Sequence, residues 1–525
     1  MIALPNLLNR LSARPRLCAP ALGALAALGF EPLHLWVLTL LAIAGLIALI
    51  AQATSAKRAM LLGWLFGMGH FTLGNNWIAT AFTFQAKMPV WLGWIAVVGV
   101  ALYLAIYPAL AALTSWRWFR ANYGALVTGF AGCWVITEWL RSWVFSGFAW
   151  NPLGMAALGP FAQPGLATLA PWLGTYALSG LVVLLAGAWL IALMRRKFDW
   201  PGALLALLPI GLMLLPGGGT GANGTVPFTL VQPDTRQEDL DNPARWESQF
   251  VTITGLSAAR RASENRVVLW PESGVPDYLR EGYPAYYYEG TTFGGDPRLA
   301  RQRLGWALGK GSLLLTGTTD LEMRGGKVAA GRNVVTAIDD VGTIRGSYAK
   351  AHLVPGGEYL PLRPLLEPLG ASRLVAGSID FWPGPGPRTL DLGPWGKAGV
   401  QICYEIIFSG QVADRAHRPD YLFNPSNDGW FGSWGPPQHL AQARLRAIEE
   451  GLPVLRATTT GISAVIDADG VVRHYVPRHM AGRLDGLIPP AHAPTLFAQA
   501  GNMLPLGWAI LLLVLSLVAI RRSRG

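Results

Sequence analysis

Apolar positions run almost unbroken through eight stretches of the chain, at roughly 17–31, 34–53, 58–80, 89–114, 122–140, 168–194, 200–216 and 503–520. Most approach the ~20 residues that a helix needs to cross a bilayer core. The pattern therefore predicts a membrane bundle of about eight helices. The first stretch is short, rich in Ala and Gly, and follows Arg10, Arg14 and Arg16, which also fits a signal peptide. Against that reading, no convincing small-residue cleavage site precedes the second stretch. Arg16 and Leu17 also stand where a lipoprotein-type site at Cys18 needs small residues.

After 216 the pattern changes. The run PGGGTGANG at 216–224 reads as a flexible linker. Beyond it, short β-rich runs are predicted at 228–232, 266–270, 312–316, 333–338, 344–348, 398–402, 421–424, 453–458 and 463–467. Helical periodicity covers 244–262, 297–308 and 439–450. Asp339-Asp340-Val341-Gly342 and Asp467-Ala468-Asp469-Gly470 read as hairpin turns. Alternating strands and helices over about 260 residues make one α/β domain. The expected division is 1–216 for membrane helices one to seven, 217–225 for the linker, 226–490 for the α/β domain and 503–520 for the eighth span.

Composition sharpens this picture. Charged residues are 14% and apolar residues 52%, with 22 Trp. Soluble proteins usually carry roughly 25% charged residues, so a wholly soluble enzyme and a disordered chain are both disfavoured. Three Cys exclude a disulfide framework and a Cys-rich metal site. The net charge of +11 does not mark a nucleic-acid surface. Residues 1–216 hold twelve Lys or Arg against Glu31, Glu138 and Asp199, and the RRSRG tail adds three more Arg. With these taken from 42 basic and 31 acidic residues, 217–520 keeps 27 and 28.

The basic excess therefore sits beside the apolar stretches, as membrane topology requires. With the N-terminus inside, inner segments carry Arg10, Arg14, Arg16, Lys57, Arg58, Arg117, Arg120, Arg195, Arg196, Lys197, Arg521, Arg522 and Arg524. The short outer loops carry only Lys87 and Arg141. Thirteen against two places both ends inside and 217–502 outside.

Three chemistry-bearing residues fall at predicted strand ends. Cys403 is the only Cys outside the apolar stretches and ends the run 398–402. Glu272 closes the run 266–270, in WPESGVP. Lys350 follows 344–348, in YAKAHLVPGGEYLP, with Glu358 eight residues later. Singly, each has a plain explanation: a small buried hydrophobe, or a solvated strand end. Together they bring a carboxylate, an ammonium and a thiol to one side of a sheet, which makes a coherent nucleophile site.

The segments WPES, YAKAHLVPGGEYLP, QICYE and NPSNDGWFG resemble the carbon–nitrogen hydrolase (nitrilase) superfamily. With the apolar stretches around them, the whole chain resembles the apolipoprotein N-acyltransferase family, including TEWLRSWVFSGFAW at 137–150. The resemblance implies eight membrane helices and an extracytoplasmic nitrilase-like αββα sandwich. It makes Glu272 the general base, Lys350 the oxyanion-stabilising lysine and Cys403 the nucleophile. Glu358 matches the second essential glutamate, Tyr404 and Glu405 the residues beside the nucleophile, and Trp430 the aromatic of the SND-x-WFG loop. Departures are Gly356, where the family often has an aromatic after LVP, and GFAW in place of GFPW. The Trp of the family's early arm has no matched counterpart, although Trp246 lies nearby.

The roles have physical grounds. A thiol with a pKa near ~8.5 needs a base or cation beside it to react at neutral pH. A carboxylate can take its proton and return it to a leaving group, and a lysine can meet the developing oxyanion. The resemblance implies a phospholipid acyl donor, a Cys thioester, and the α-amine of a diacylglyceryl-cysteine apolipoprotein as acceptor. It implies an inner-membrane monomer with a periplasmic catalytic domain, no cofactor or metal, and no nucleic-acid partner. A tethered amidase acting on small amides is the alternative, distinguished by water as acceptor. A transporter with an external binding module ranks below both, since few charges lie in the apolar stretches and no repeated half is evident. Glu138 and Arg141, three apart at the outer end of a span, fit either an orienting ion pair or a functional one. His70, Asn75 and Asn76 read as packing groups, and the pairs Trp91/Trp94, Trp116/Trp118 and Trp134/Trp139 as interfacial or packing residues.

Overall fold

The computed structural model describes residues 13–84, 89–194, 200–214, 221–260, 263–366, 368 and 379–523. The chain forms two units. One gathers Met1–Ala79, Val90–Gly218 and Pro494–Gly525; the other gathers Thr80–Pro89 and Gly219–Ala493.

The first unit is helical. Its helices are α1 (Pro15–Ala27), α2 (Trp36–Ala51), α3 (Ala56–Gly74), α4 (Leu92–Leu104), α5 (Ile106–Phe119), α6 (Tyr123–Arg141), α7 (Ala170–Met194) and α8 (Trp200–Met213). Each predicted apolar stretch before 217 thus contains a helix. Among the described residues, Leu92–Phe119, Leu166–Met194 and Met503–Arg522 are long and apolar enough to cross a membrane; Trp36–Ala51 is apolar but shorter. Side-chain caps start two helices: Ser55 accepts from the Arg58 amide and Asn122 from the Ala125 amide. Small residues let α3 approach its neighbours. A Cβ at Gly69 would lie 1.9 Å from the Pro20 carbonyl oxygen of α1, and one at Gly63 would lie 2.5 Å from Pro108 O of α5.

The stretch between α6 and α7 has no long helix, yet Trp150 and Leu153 are buried within the unit. Its backbone groups are met by α6 and α7. Arg141 Nη1 donates to Trp150 O (2.8 Å), Leu153 N donates to Glu138 Oε1 (2.8 Å), and Gly154 N donates to Ser179 Oγ (2.7 Å). Non-helical backbone in an apolar bundle is tolerated only with such partners. Glu138 and Arg141, 3.8 Å apart, therefore hold this segment in place. His70 packs among the rings of Phe30, Phe66 and Phe71. Asn75 is buried, and Asn76 bonds Leu73 O.

The second unit holds two six-stranded sheets. The strands are β1 (Pro227–Gln232), β2 (Ser263–Leu269), β3 (Lys310–Arg324), β4 (Lys327–Asp339), β5 (Ile344–Ala349), β6 (Thr389–Asp391), β7 (Lys397–Val400), β8 (Tyr421–Ser426), β9 (Val454–Thr458), β10 (Ser463–Ile466), β11 (Val472–Val476) and β12 (Gly482–Leu487). Their orders are β12-β1-β2-β3-β4-β5 and β6-β7-β8-β9-β10-β11. In each sheet the successive pairings run antiparallel, parallel, parallel, antiparallel, antiparallel. All nine predicted strands are present; β6, β11 and β12 were not predicted.

Helices α9 (Pro243–Ser257), α10 (Pro297–Leu308) and α11 (Gly435–Glu450) occupy the predicted helical segments. The first ends at Ser257, short of the predicted 262, and the last begins four residues before the predicted 439. Trp270, Leu304, Leu308 and Ile253 share a core of sheet and helix side chains. Gln232 joins the sheets. Its Oε1 accepts from Thr458 Oγ1 (2.8 Å) and Ser463 Oγ (2.6 Å), and its Nε2 donates to Pro477 O and Met480 O. The chain returns to the helical unit through α12 (Met503–Arg522), which packs on α6, where Ser516 Oγ donates to Ala125 O.

Candidate active site

Strand ends deliver the candidate residues. The chain leaves β2 at Trp270 and turns so closely past β3 that a Cβ at Gly317 would lie 2.8 Å from Glu272 Cα. Lys350 follows β5, held by its amide to Asn333 O (2.9 Å) and its carbonyl to Gly384 N (2.7 Å). Cys403 follows β7 at the start of the 3-10 turn Cys403–Ile407, with φ +52°. That left-handed conformation is strained for a residue with a Cβ, and such strain concentrates at functional positions.

Glu272, Lys350 and Glu358 meet in one buried cluster. Lys350 Nζ lies 2.9 Å from Glu358 Oε2 and 3.4 Å from Glu272 Oε1. Lys350 is 2% exposed, which leaves no water to solvate the ammonium in place of these carboxylates. Burial alone would lower its pKa. The charges of Glu358, Glu272 and Cys403 overcome that and raise it above the usual lysine value, so the ammonium persists at neutral pH. Burial pushes the Cys403 thiol well above its usual range. The Glu272 charge adds to the rise, while Lys350 opposes it. The resting arrangement is therefore a neutral thiol within the electrostatic reach of a carboxylate and an ammonium.

Glu405 faces the backbone. Its Oε2 accepts from Ile402 N (2.7 Å), and its Oε1 accepts from Ala351 N (2.7 Å), Tyr348 OH (2.8 Å) and His352 N (3.3 Å). It ties the strand end bearing Lys350 to the strand end bearing Cys403. Tyr404 is buried and packs edge-on to Phe408. Trp430 lies in the turn Asp428–Phe431 and meets Phe84 edge-on at 5.7 Å. Trp246 donates to Leu240 O within the second unit, and Gly356 adopts φ +77°.

Two further residues complete the cluster. Asn333 Nδ2 donates to Glu272 Oε1 (2.7 Å) and to Glu358 Oε1 (3.0 Å), so one amide holds both carboxylates. The Asn427 amide donates to Glu272 Oε2 (2.9 Å) and also acts on the Cys403 thiol. Asn427 lies in the SND segment that drew attention in the sequence. Asn333 gave no signal there, being one polar residue in a β-rich run.

These elements match known families. Residues 229–478 match the family described as carbon-nitrogen hydrolase, and residues 22–188 match the apolipoprotein N-acyltransferase N-terminal domain. The α/β unit is thus a carbon–nitrogen hydrolase domain, and the chain an enzyme of that superfamily. Curated relatives cover both units together. An apolipoprotein N-acyltransferase of Rhodopseudomonas palustris is 33% identical over 95% of this chain and 94% of its own. Another, of Bradyrhizobium diazoefficiens, is 34% identical over 96% of this chain and 94% of its own. An amidase of the nitrilase superfamily from Nesterenkonia AN1 covers 51% of this chain and 92% of its own, with 17% identity and a TM-score of 0.35. The chain belongs to the apolipoprotein N-acyltransferase family.

Proposed function

We propose that the protein transfers an acyl chain from a phospholipid, through a thioester on Cys403, to the α-amine of an N-terminal S-diacylglyceryl-cysteine. The observation that carries this reading is a strained, buried cysteine within electrostatic reach of Glu272 and a protonated Lys350, in a chain similar to N-acyltransferases along nearly its whole length. In the first half-reaction Glu272 takes the Cys403 proton, and the thiolate attacks the acyl ester carbon. Lys350 stabilises the oxyanion, a contribution of roughly 3–4 kcal/mol for a donor of this kind. The C–O bond breaks as Glu272 returns the proton to the lysophospholipid alcohol. In the second, the amine attacks the thioester, its proton passes to Glu272, and the thiolate leaves and is reprotonated. Glu358 and Asn333 hold Lys350 and Glu272, and Glu405 keeps the Cys403 and Lys350 strand ends in register. Tyr404 and Trp430 contact substrate.

The same reading makes the chain an inner-membrane monomer of eight spans, with 1–216 and 503–520 in the bilayer and 226–490 on the periplasmic side. Phospholipid as donor suits a catalytic unit joined to apolar helices at both of its ends. The test is single-turnover incubation with phospholipid alone, followed by lipopeptide. Wild type should form a hydroxylamine-sensitive acyl adduct on Cys403 that lipopeptide discharges as amide. Cys403→Ser should form no stable thioester, and Glu272→Gln should acylate more slowly by a factor on the order of 10²–10⁴. Lys350→Met should also depress acylation. Normal turnover by Cys403→Ala would sink the mechanism, and discharge of the adduct to water instead of amine would favour an amidase.

A further inference from the structure

Behind the nucleophile lies a buried polar cluster that none of these steps uses. The Cys403 carbonyl accepts from His439 Nε2 at 3.0 Å and more weakly from Asn424 Nδ2 at 3.4 Å. His439 Nδ1 is 3.0 Å from Asp428 Oδ1 and 3.1 Å from Arg456 Nη2. Arg456 Nη2 donates to both Asp428 oxygens, at 2.8 and 2.7 Å, while Nη1 bonds Ser426 Oγ (2.9 Å) and Asn424 Oδ1. Phe431 packs edge-on to the imidazole. His439, Asn424 and Arg456 are wholly buried.

The arrangement fixes the tautomer. Burial and Arg456 lower the His439 pKa, so the ring is neutral. A neutral ring that donates from Nε2 presents a lone pair at Nδ1, and Arg456 supplies the proton for it. Burial would raise the Asp428 pKa, but Arg456 brings it down to about 2, so it stays a carboxylate beneath the guanidinium. This donor is aimed at a peptide in the left-handed region. Cys403 sits at φ +52°, and strained backbone persists only where its surroundings over-determine it.

We infer that His439 is a positioning residue for the nucleophile: its Nε2–H holds the Cys403 carbonyl and so keeps the cysteine in its left-handed conformation. Through Arg456, whose Nη2 meets both the ring Nδ1 and the Asp428 carboxylate, it joins the nucleophile to the turn Asp428–Phe431, which carries Trp430. The inference rests on the acyl-transfer reading given above. Asp428 is itself closely packed, since a Cβ at Gly461 would lie 2.3 Å from its Oδ2.

The test compares His439→Leu, His439→Gln and His439→Asn in the full-length, detergent-solubilised protein, scored on the folded fraction only. Gln can place an amide N–H near the Nε2 position; Asn reaches only the Nδ1 position; Leu supplies neither. His439→Leu and His439→Asn should slow acyl-enzyme formation at saturating phospholipid by about 10- to 100-fold, as small misplacements of reacting groups do. The half-saturating phospholipid concentration should stay unchanged, and alkylation of Cys403 by iodoacetamide should slow in parallel. His439→Gln should recover most of both rates. If Leu does not fold, the Gln–Asn difference carries the test. Equal rates for Gln and Asn, or a wild-type rate for folded His439→Leu, would overturn the inference. Turnover by Cys403→Ala would instead overturn the acyl-transfer reading itself.

Discussion

Glu405 turns its carboxylate toward the backbone of two strand ends, as the supporting role proposed for it requires. Its oxygens accept three backbone amides and the Tyr348 hydroxyl, and burial raises its pKa from 4.5 to about 7. A group whose pKa is raised on folding adds stability below its unfolded pKa and loses it as pH climbs through the folded value. The stability advantage of wild type over Glu405→Gln should therefore be greatest near pH 4.5 and shrink up to about pH 7. The slope approaches ~1.4 kcal/mol per pH unit within that window. Thermal unfolding of both proteins between pH 5 and 8 checks this, and a constant or growing difference would mean that Glu405 is not the group titrating. At this scale the sequence was informative wherever a motif named the residue. Cys403, Glu272 and Lys350 lie at strand ends that the hydrophobic pattern had located, while Glu358 and Glu405 were picked out only by the resemblance of YAKAHLVPGGEYLP and QICYE. The contacts of Asn333 and His439 were not legible, because their partners are brought from 25 to 61 residues away.

The hairpins at the ends of β4 and β10 carry a repeat that only the sheet order makes visible. Asp339 accepts from Val341 N and Thr343 N and pairs with Arg345; Asp467 accepts from Asp469 N and Val471 N and pairs with Arg473. The segments IDDVGTIR at 338–345 and IDADGVVR at 466–473 occupy equivalent places in two sheets of the same pairing order. Both turns were predicted from Asp and Gly, but their equivalence depends on strands the sequence did not reveal. Strand β6 has only three residues, β11 carries Arg473 and His474 in a run of five, and β12 mixes charge and Gly with two apolar positions. All three are sheet edges, where short or charged strands are expected and the alternation signal is weakest. Asp339→Ala and Asp467→Ala each strip a nearly buried acceptor from two backbone amides. Each should destabilise the unit by about 1–3 kcal/mol in chemical unfolding. Arg345→Ala should lose less, because its side chain is more than half exposed and such pairs contribute about 0–1 kcal/mol. Equal losses for Asp339→Ala and Arg345→Ala would show that the charge pair, and not the turn acceptor, holds the hairpin.

Across the whole molecule, apolar length and the placement of charge carry the argument about membrane topology. The helical unit is interrupted by 275 residues of α/β unit, Gly219–Ala493, so that unit is anchored at both ends, after α8 and before α12. Hydropathy made this insertion legible, because strand and helix periods differ so sharply on either side of the linker. It did not reveal the buried non-helical segment between α6 and α7, whose backbone is satisfied by side chains 9 to 25 residues away. Orientation rests on basic residues alone. Lys57 and Arg58 open α3, and Arg521 and Arg522 close α12, while the acidic residues that balance charge lie almost wholly within 217–520. Cytoplasmic loops retain Lys and Arg, whereas a large nearly neutral domain can be translocated. In a variant with all three native cysteines replaced, Lys327→Cys at the exposed start of β4 should react with a membrane-impermeant maleimide in spheroplasts. Lys57→Cys should react only after permeabilisation. The reverse pattern would put the α/β unit in the cytoplasm, away from a lipoprotein amine presented at the outer leaflet. It would leave the Cys403 cluster intact as chemistry but without the proposed acceptor, and would put the amidase reading ahead.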